Sequence, residues 1–270
     1  MRKIAILPTL LTLGNAVSGF AAIAFVSRVD SASSAADIRL CFGVSGALIV
    51  LAMLFDALDG NVARLAKSAS EFGAQLDSLC DAISFGVAPA FLLLRLGQVD
   101  WAESGLARYA IAIVAGLYMV CTILRLARFN LETTTDPASH KRFKGLPSPG
   151  AAGCVASLVV LRSGLNVDWV SLNEEVLNQL IKLWAPVGGL LVALLMVSRL
   201  SYPHFTNQML GGKRGFRFLV QAVLMLFVIA LIPTVAFFLG FWLYALSSPV
   251  RYVLGIRRGR RPAAERPERE

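Results

Sequence analysis

Long apolar runs constrain this sequence more than any other feature. A helix needs roughly 20 mostly apolar residues to cross the hydrocarbon of a bilayer. Such runs lie near residues 9–27, 41–63, 74–95, 108–128, 149–164, 180–198, 217–233 and 235–250. The fifth is short. The last two form one stretch, interrupted at Pro233 and too long for a single crossing, so a tight hairpin near Pro233-Thr234 is expected. The prediction is an all-α polytopic membrane helix bundle of about eight transmembrane helices, with six or seven as the alternative. Composition removes the competing classes. With 56% hydrophobic and 16% charged residues, the chain has too much apolar surface to be disordered. Four cysteines in 270 residues are too sparse for a disulfide scaffold. Cys41, Cys80, Cys121 and Cys154 each stand alone in an apolar stretch and read as small core residues. His140 and His204 sit in polar segments and suggest no metal site.

Orientation follows from Lys and Arg, which concentrate on the cytoplasmic side of membrane proteins. With both termini placed in the cytoplasm, 20 of the 26 basic residues fall on that side, seven of them arginines between Arg251 and Arg269. The net charge of +9 is therefore a topology signal plus attraction to anionic membrane lipid; no nucleic-acid partner is expected. The first run follows Arg2 and Lys3 and looks like a signal peptide. It lacks a convincing small-residue cleavage site, however, and carries Thr12, Asn15 and Gly19 on one face, so it is expected to stay in the mature protein. Residues 1–250 read as a single transmembrane domain and 251–270 as a basic, disordered cytoplasmic tail.

Charged residues within or beside membrane spans are costly and default to function. Four aspartates flank the turn between the second and third runs. Asp56, Asp59, Gly60 and Ala63 share one helical face, and Gly73, Asp77 and Asp81 recur every four residues on the next helix. Antiparallel helices would bring the two stripes together. Gly60, Ala63 and Gly73 lack bulk, so they allow close backbone approach or leave room for a planar ligand. Converging carboxylates repel unless neutralised. Two divalent cations would do this, and oxygen-only ligands favour Mg²⁺, Mn²⁺ or Ca²⁺ over zinc. Paired metals suit phosphoryl chemistry. The rival reading at this point is an ion or proton path.

The pattern DxxDGxxAR, eight residues, then GxxxDxxxD resembles the signature of the CDP-alcohol phosphatidyltransferases. It is complete here as Asp56, Asp59, Gly60, Ala63, Arg64, Gly73, Asp77 and Asp81. The resemblance implies transfer of a phosphatidyl group from a CDP-linked lipid to an alcohol, with release of CMP. By position, it implies that Asp56, Asp59 and Asp77 hold one metal, that Asp56, Asp77 and Asp81 hold a second, and that Asp81 is the general base. It further implies that Gly60, Ala63 and Gly73 make room for cytidine, that Arg64 and Ser70 lie near the nucleotide phosphates, and that the enzyme is a homodimer of the inner membrane with its site facing the cytoplasm.

Three segments bear on the remaining ligands. Pro8, Thr12, Asn15 and Gly19 form a polar stripe on an apolar helix; Thr12 and Asn15 either bind the diphosphate or ribose, or hydrogen-bond between helices. Arg125 and Arg128, three residues apart, could grip a carboxylate or phosphate; the plainer reading is positive-inside anchoring. In Phe143-Lys144-Gly145-Leu146-Pro147-Ser148-Pro149 the prolines shape a rigid re-entry, and Lys144 could contact an anion. The segments RLARFN, FKGLPSP and EFGAQLDSLCDAISFGVAPA together resemble the branch of the family that uses CDP-diacylglycerol and L-serine. Cys80 stands where that branch leads one to expect a small residue. A sister enzyme using glycerol 3-phosphate or inositol phosphate is the nearest alternative, and a cation or proton transporter the remote one. Transporter acids would be spread over several spans near the midplane, whereas these cluster at one edge.

Overall fold

The computed structural model describes residues 6–30, 33–65, 71–101, 105–135, 143–164, 174–202 and 233–255. Their elements, in chain order, are α1 (Ile6–Val26), α2 (Ala35–Leu65), α3 (Glu71–Asp81), a π-helical turn (Ala82–Val87), α4 (Ala88–Asp100), α5 (Gly105–Thr135), β1 (Phe143–Lys144), α6 (Ser148–Arg162), α7 (Glu174–Val197), β2 (Ser201–Tyr202) and α8 (Pro233–Val253). Among the described residues, six stretches are long and apolar enough to cross a membrane: Ile6–Val26, Ala35–Gly60, Glu71–Val99, Gly105–Leu131, Asn178–Val197 and Pro233–Val253. The chain is a polytopic helical membrane protein. The fifth apolar run forms the shorter α6, and the seventh, 217–233, lies almost wholly outside the described residues. So do most of the basic tail and His140 and His204. Large apolar side chains such as Leu106, Ile113, Leu183 and Val253 point outward. Lipid tails tolerate that surface as water would not, because they are as apolar as the side chains themselves.

Small residues explain the middle of the bundle. Helix α6 begins with Ser148-Pro149, where a proline's missing amide costs nothing, and continues Gly150-Ala151-Ala152-Gly153. Without bulk, it buries nearly its whole length between α2 and α8. A Cβ at Gly153 would collide with the Phe241 ring of α8. Its fully buried Ala151, Ala152, Cys154 and Ala156 belong to one core with Phe42, Phe85, Leu92, Leu93 and Tyr118.

The third membrane stretch is not a uniform α-helix. Its π turn starts immediately after Asp81. Such a turn misaligns the backbone ladder and leaves carbonyls for other donors. Tyr118 of α5 donates its hydroxyl to the Phe85 carbonyl at 3.0 Å, and Ser84 donates to the Asn15 carbonyl of α1 at 2.9 Å. Helix α1 can come this close because residue 19 is glycine: a Cβ there would lie 2.5 Å from Ser84 Oγ and 2.7 Å from Ser84 Cα.

A second clip joins the segment before α6 to the end of α7. Phe143 pairs with Tyr202 and Lys144 with Ser201 in a two-residue antiparallel ladder. The Gly145 amide donates to the Leu200 carbonyl at 2.8 Å and the Leu146 amide to the Leu195 carbonyl at 3.0 Å. Gly145 has φ +90°, and a Cβ would meet the Met196 carbonyl oxygen, so the turn requires glycine. Helix α8 is latched to the same place: Tyr202 donates to the Ala245 carbonyl at 2.8 Å, and Ser248 donates to that of Ser201 at 2.7 Å.

Candidate active site

The two aspartate stripes meet. Asp56 and Asp59 from α2 and Asp77 from α3 each present an oxygen, and these three oxygens lie within 4.8 Å of one another. Asp59 is buried, and the Thr12 hydroxyl and the Gly60 amide approach its carboxylate. Yet Asp59 Oδ2 and Asp77 Oδ1 are both buried without a hydrogen-bond partner. Buried anionic oxygens left bare are costly, and a cation is what normally satisfies them. The donor set is all oxygen, as a hard divalent ion requires. The residues therefore fit the metal that the sequence implies, at least for one ion.

Asp81 stands beside this group. It lies within electrostatic reach of Asp56, Asp77 and Asp59. Its Oδ1 accepts a hydrogen bond from Asn15 Nδ2 at 2.9 Å, across the α1–α3 contact. Asn15 is fully buried and its own Oδ1 has no partner. Of the two readings of the α1 stripe, the bond actually made by Asn15 is interhelical. Thr12 is also buried; it donates to the Pro8 carbonyl at 3.0 Å.

The remaining predicted residues divide by position. Gly60 is half-buried, and a Cβ there would meet nothing within 4 Å, so this glycine opens onto free space and not onto a neighbouring helix. Gly73 is half-buried on the first turn of α3. Ala63 and Arg64 occupy the last turn of α2, and Lys144 occupies β1; of these three the structure describes the backbone. Ser70 lies outside the described residues.

Arg125 points inward. Its Nη1 donates to Ser148 Oγ at the start of α6, 2.7 Å away, and its Nε is buried with no partner. Asp81, Tyr244 and Tyr118 are all within electrostatic reach of it. Arg128, one turn on, is half-buried. Next to it on α5, Asn130 meets Ser78 of α3 side chain to side chain at 2.9 Å, tying the two helices that carry the aspartates and the arginines. Ser148, Tyr118 and Tyr244 escape a sequence reading. Ser148 lies within the FKGLPSP segment, but no spacing rule relates it to Arg125, 23 residues away on another helix.

These features define a membrane-embedded helical protein whose polar chemistry gathers at carboxylates shared by two helices. Residues 5–193 match the sequence model for CDP-alcohol phosphatidyltransferase, and the chain belongs to that family. Among curated relatives, it is 34% identical over 211 residues to the CDP-diacylglycerol–serine O-phosphatidyltransferase of Methanocaldococcus jannaschii, covering 78% of this chain and 85% of the relative. The Helicobacter pylori (strain ATCC 700392 / 26695) protein of the same name is 30% identical over 207 residues, covering 76% and 78%. The archaetidylserine synthase of Methanothermobacter thermautotrophicus is 39% identical over 175 residues, covering 63% and 66%.

Proposed function

We propose that the chain transfers the phosphatidyl group of CDP-diacylglycerol to the hydroxyl of L-serine, giving phosphatidylserine and CMP. Family membership supports the reaction type, and the names borne by the relatives support serine as the acceptor. The observation that carries the chemistry is the convergence of Asp56, Asp59 and Asp77 with bare buried oxygens. In this reading Asp56, Asp59 and Asp77 hold one divalent cation, and Asp56, Asp77 and Asp81 a second, Mg²⁺ or Mn²⁺ being the natural choices. When bound, such ions neutralise the diphosphate and make CMP a better leaving group.

The protein's own groups do the rest. Gly60, with open space where a side chain would project, leaves room for the nucleotide; by the family motif, Ala63 and Gly73 share in that room and Arg64 and Ser70 serve the nucleotide phosphates. Asp81 takes the hydroxyl proton of serine as its oxygen bonds to phosphorus and the bond to the CMP oxygen breaks. Arg125, an inward cation with a free N–H, binds the serine carboxylate; Arg128 and Lys144 are the further acceptor candidates that the sequence offers. Direct attack by the alcohol needs no other nucleophile. The Lys and Arg bias supports placing the carboxylate end at the cytoplasmic face of the inner membrane. A homodimer belongs to the same reading, and crosslinking in native membranes tests it.

The purified chain, given CDP-diacylglycerol and Mn²⁺ or Mg²⁺, should convert labelled serine and leave glycerol 3-phosphate and inositol phosphate unused. Product from only the latter two would defeat the serine assignment. Asp81→Asn should lower CMP release by about 10²–10⁴-fold, the usual worth of a general base, with CDP-lipid binding largely kept. Full turnover in that variant would remove Asp81 from the role.

A further inference from the structure

We infer that Ser148 is a positioning residue for the acceptor site, holding the Arg125 guanidinium in place by one nitrogen, and that the C-terminal helices α7 and α8 serve to fix Ser148 in place. The inference rests on the serine reading above and deepens it.

An arginine inside a membrane bundle is costly and pairs with other groups in the bundle interior. Here one end of the guanidinium is held: Nη1 donates to Ser148 Oγ at 2.7 Å, and Ser148 is 1% exposed. The other side is bare, since Nε is buried and unpartnered. A cation tethered at one nitrogen and unsatisfied at another is prepared for an anionic ligand, because a carboxylate supplies the missing acceptor. Asp81, also within its electrostatic reach, spends Oδ1 on Asn15. In this reading a serine whose carboxylate meets Arg125 offers its hydroxyl to Asp81.

Ser148 is not free to drift. It begins α6, three residues after Gly145, whose amide is bonded to Leu200; Leu146 is bonded to Leu195. Both acceptors lie at or just beyond the end of α7. The adjoining β1–β2 pair carries Tyr202, which is bonded to α8 at Ala245. From α8 the Tyr244 ring sits against residue 150, where a Cβ would be 3.2 Å from Cε1. Helix α8 lies beyond the 5–193 stretch matched by the family. The part of the chain with the least legible sequence thus supports the acceptor side of the site.

The test is steady-state kinetics of the full chain in nanodiscs with CDP-diacylglycerol and labelled L-serine. Ser148→Ala should raise KM for serine on the order of tenfold, the worth of one hydrogen bond to a charged group, with kcat and KM for CDP-diacylglycerol within about twofold. Ser148→Thr, which keeps the hydroxyl, should restore the serine KM; Ser148→Cys, a weaker acceptor of similar size, should fall between and serves if the alanine variant does not fold. In an Arg125→Lys background, Ser148→Ala should add less than about twofold, because its effect runs through Arg125. The inference is overturned by an unchanged serine KM, by a loss confined to kcat, by an equal rise in KM for the lipid, or by a full tenfold effect persisting over Arg125→Lys. If the wild-type chain uses another alcohol, the serine reading falls by itself, and the same KM split against that alcohol decides the role of Ser148.

Discussion

The bundle holds its two charged regions in opposite ways. At the carboxylate cluster, Asp59 and Asp77 each keep a buried oxygen bare, and like charges face one another within 4.8 Å. At Arg125 a single cation is tethered by a neutral hydroxyl at 2.7 Å. The first arrangement is unfavourable until positive charge arrives. The second is a settled side chain with one donor to spare. The difference fits the proposed partners: cations at the first, an anion at the second. A reacting pair with a diphosphate on one substrate and a carboxylate on the other would engage both.

The largest effect that could break this pairing comes from the cations. Chelation should abolish turnover, and added Mg²⁺ or Mn²⁺ should restore it. Asp77→Asn, which keeps the shape but removes a charge shared by both proposed ions, should cost about 10³-fold or more in kcat, the loss of several kcal/mol of charge stabilisation. Direct measurement of Mn²⁺ binding by electron paramagnetic resonance separates lost metal from lost fold. Undiminished turnover with chelator would leave the bare oxygens of Asp59 and Asp77 unexplained.

Next in size is the cationic side. Arg125→Ala should raise KM for serine on the order of 100-fold, as expected when one member of a buried charged contact is truncated. CDP-diacylglycerol binding should be nearly untouched. If the lipid KM rises instead, Arg125 belongs with the nucleotide phosphates, and the two regions serve one ligand and not two.

The two regions also differ in how far the sequence discloses them. The acids lie on two adjacent helices within 26 residues, at three- and four-residue spacings, so helical geometry alone aligns them. The arginine site joins α5 to the start of α6, with support from α7 and α8, and no local periodicity encodes those contacts. The spans show the same contrast. Of the eight apolar runs, the seven that lie within the described residues are helical over most of their length, because apolar patterning is a local property of the chain. The π turn after Asp81 was illegible: it depends on Tyr118 of α5 and Ser84 against α1, both tertiary partners. The sequence did mark Asn15 as polar on an apolar helix, but its partner Asp81 is 66 residues away.

Gly19→Ala sharpens the link between α1 and the acids. The new methyl would lie 2.7 Å from the Ser84 backbone, which cannot swing aside as a side chain tip can. Helix α1 must shift, at a cost of about 1–3 kcal/mol for overpacking, and Asn15 shifts with it. The melting temperature should fall, and kcat should fall on the order of tenfold with both KM values little changed. A stable variant with normal kcat would mean that the Asn15–Asp81 bond is dispensable.

Tyr118→Phe should have the smallest effect and isolates the π turn from the chemistry. The substitution keeps the ring, fully buried in the core, and removes only the hydroxyl that donates to the Phe85 carbonyl at 3.0 Å. Hydrogen bonds between membrane helices are worth about 0.6 kcal/mol on average, so thermal unfolding in detergent should move by about 1–3 °C for a chain of this size. Asp81 immediately precedes the turn but is held separately by Asn15, so kcat should stay within about twofold. A large loss of kcat at unchanged melting temperature would show that Tyr118 reaches the acids through the turn. The carboxylate and arginine regions would then be mechanically joined, and the contrast between them would have to be redrawn around α5, which carries both Tyr118 and Arg125.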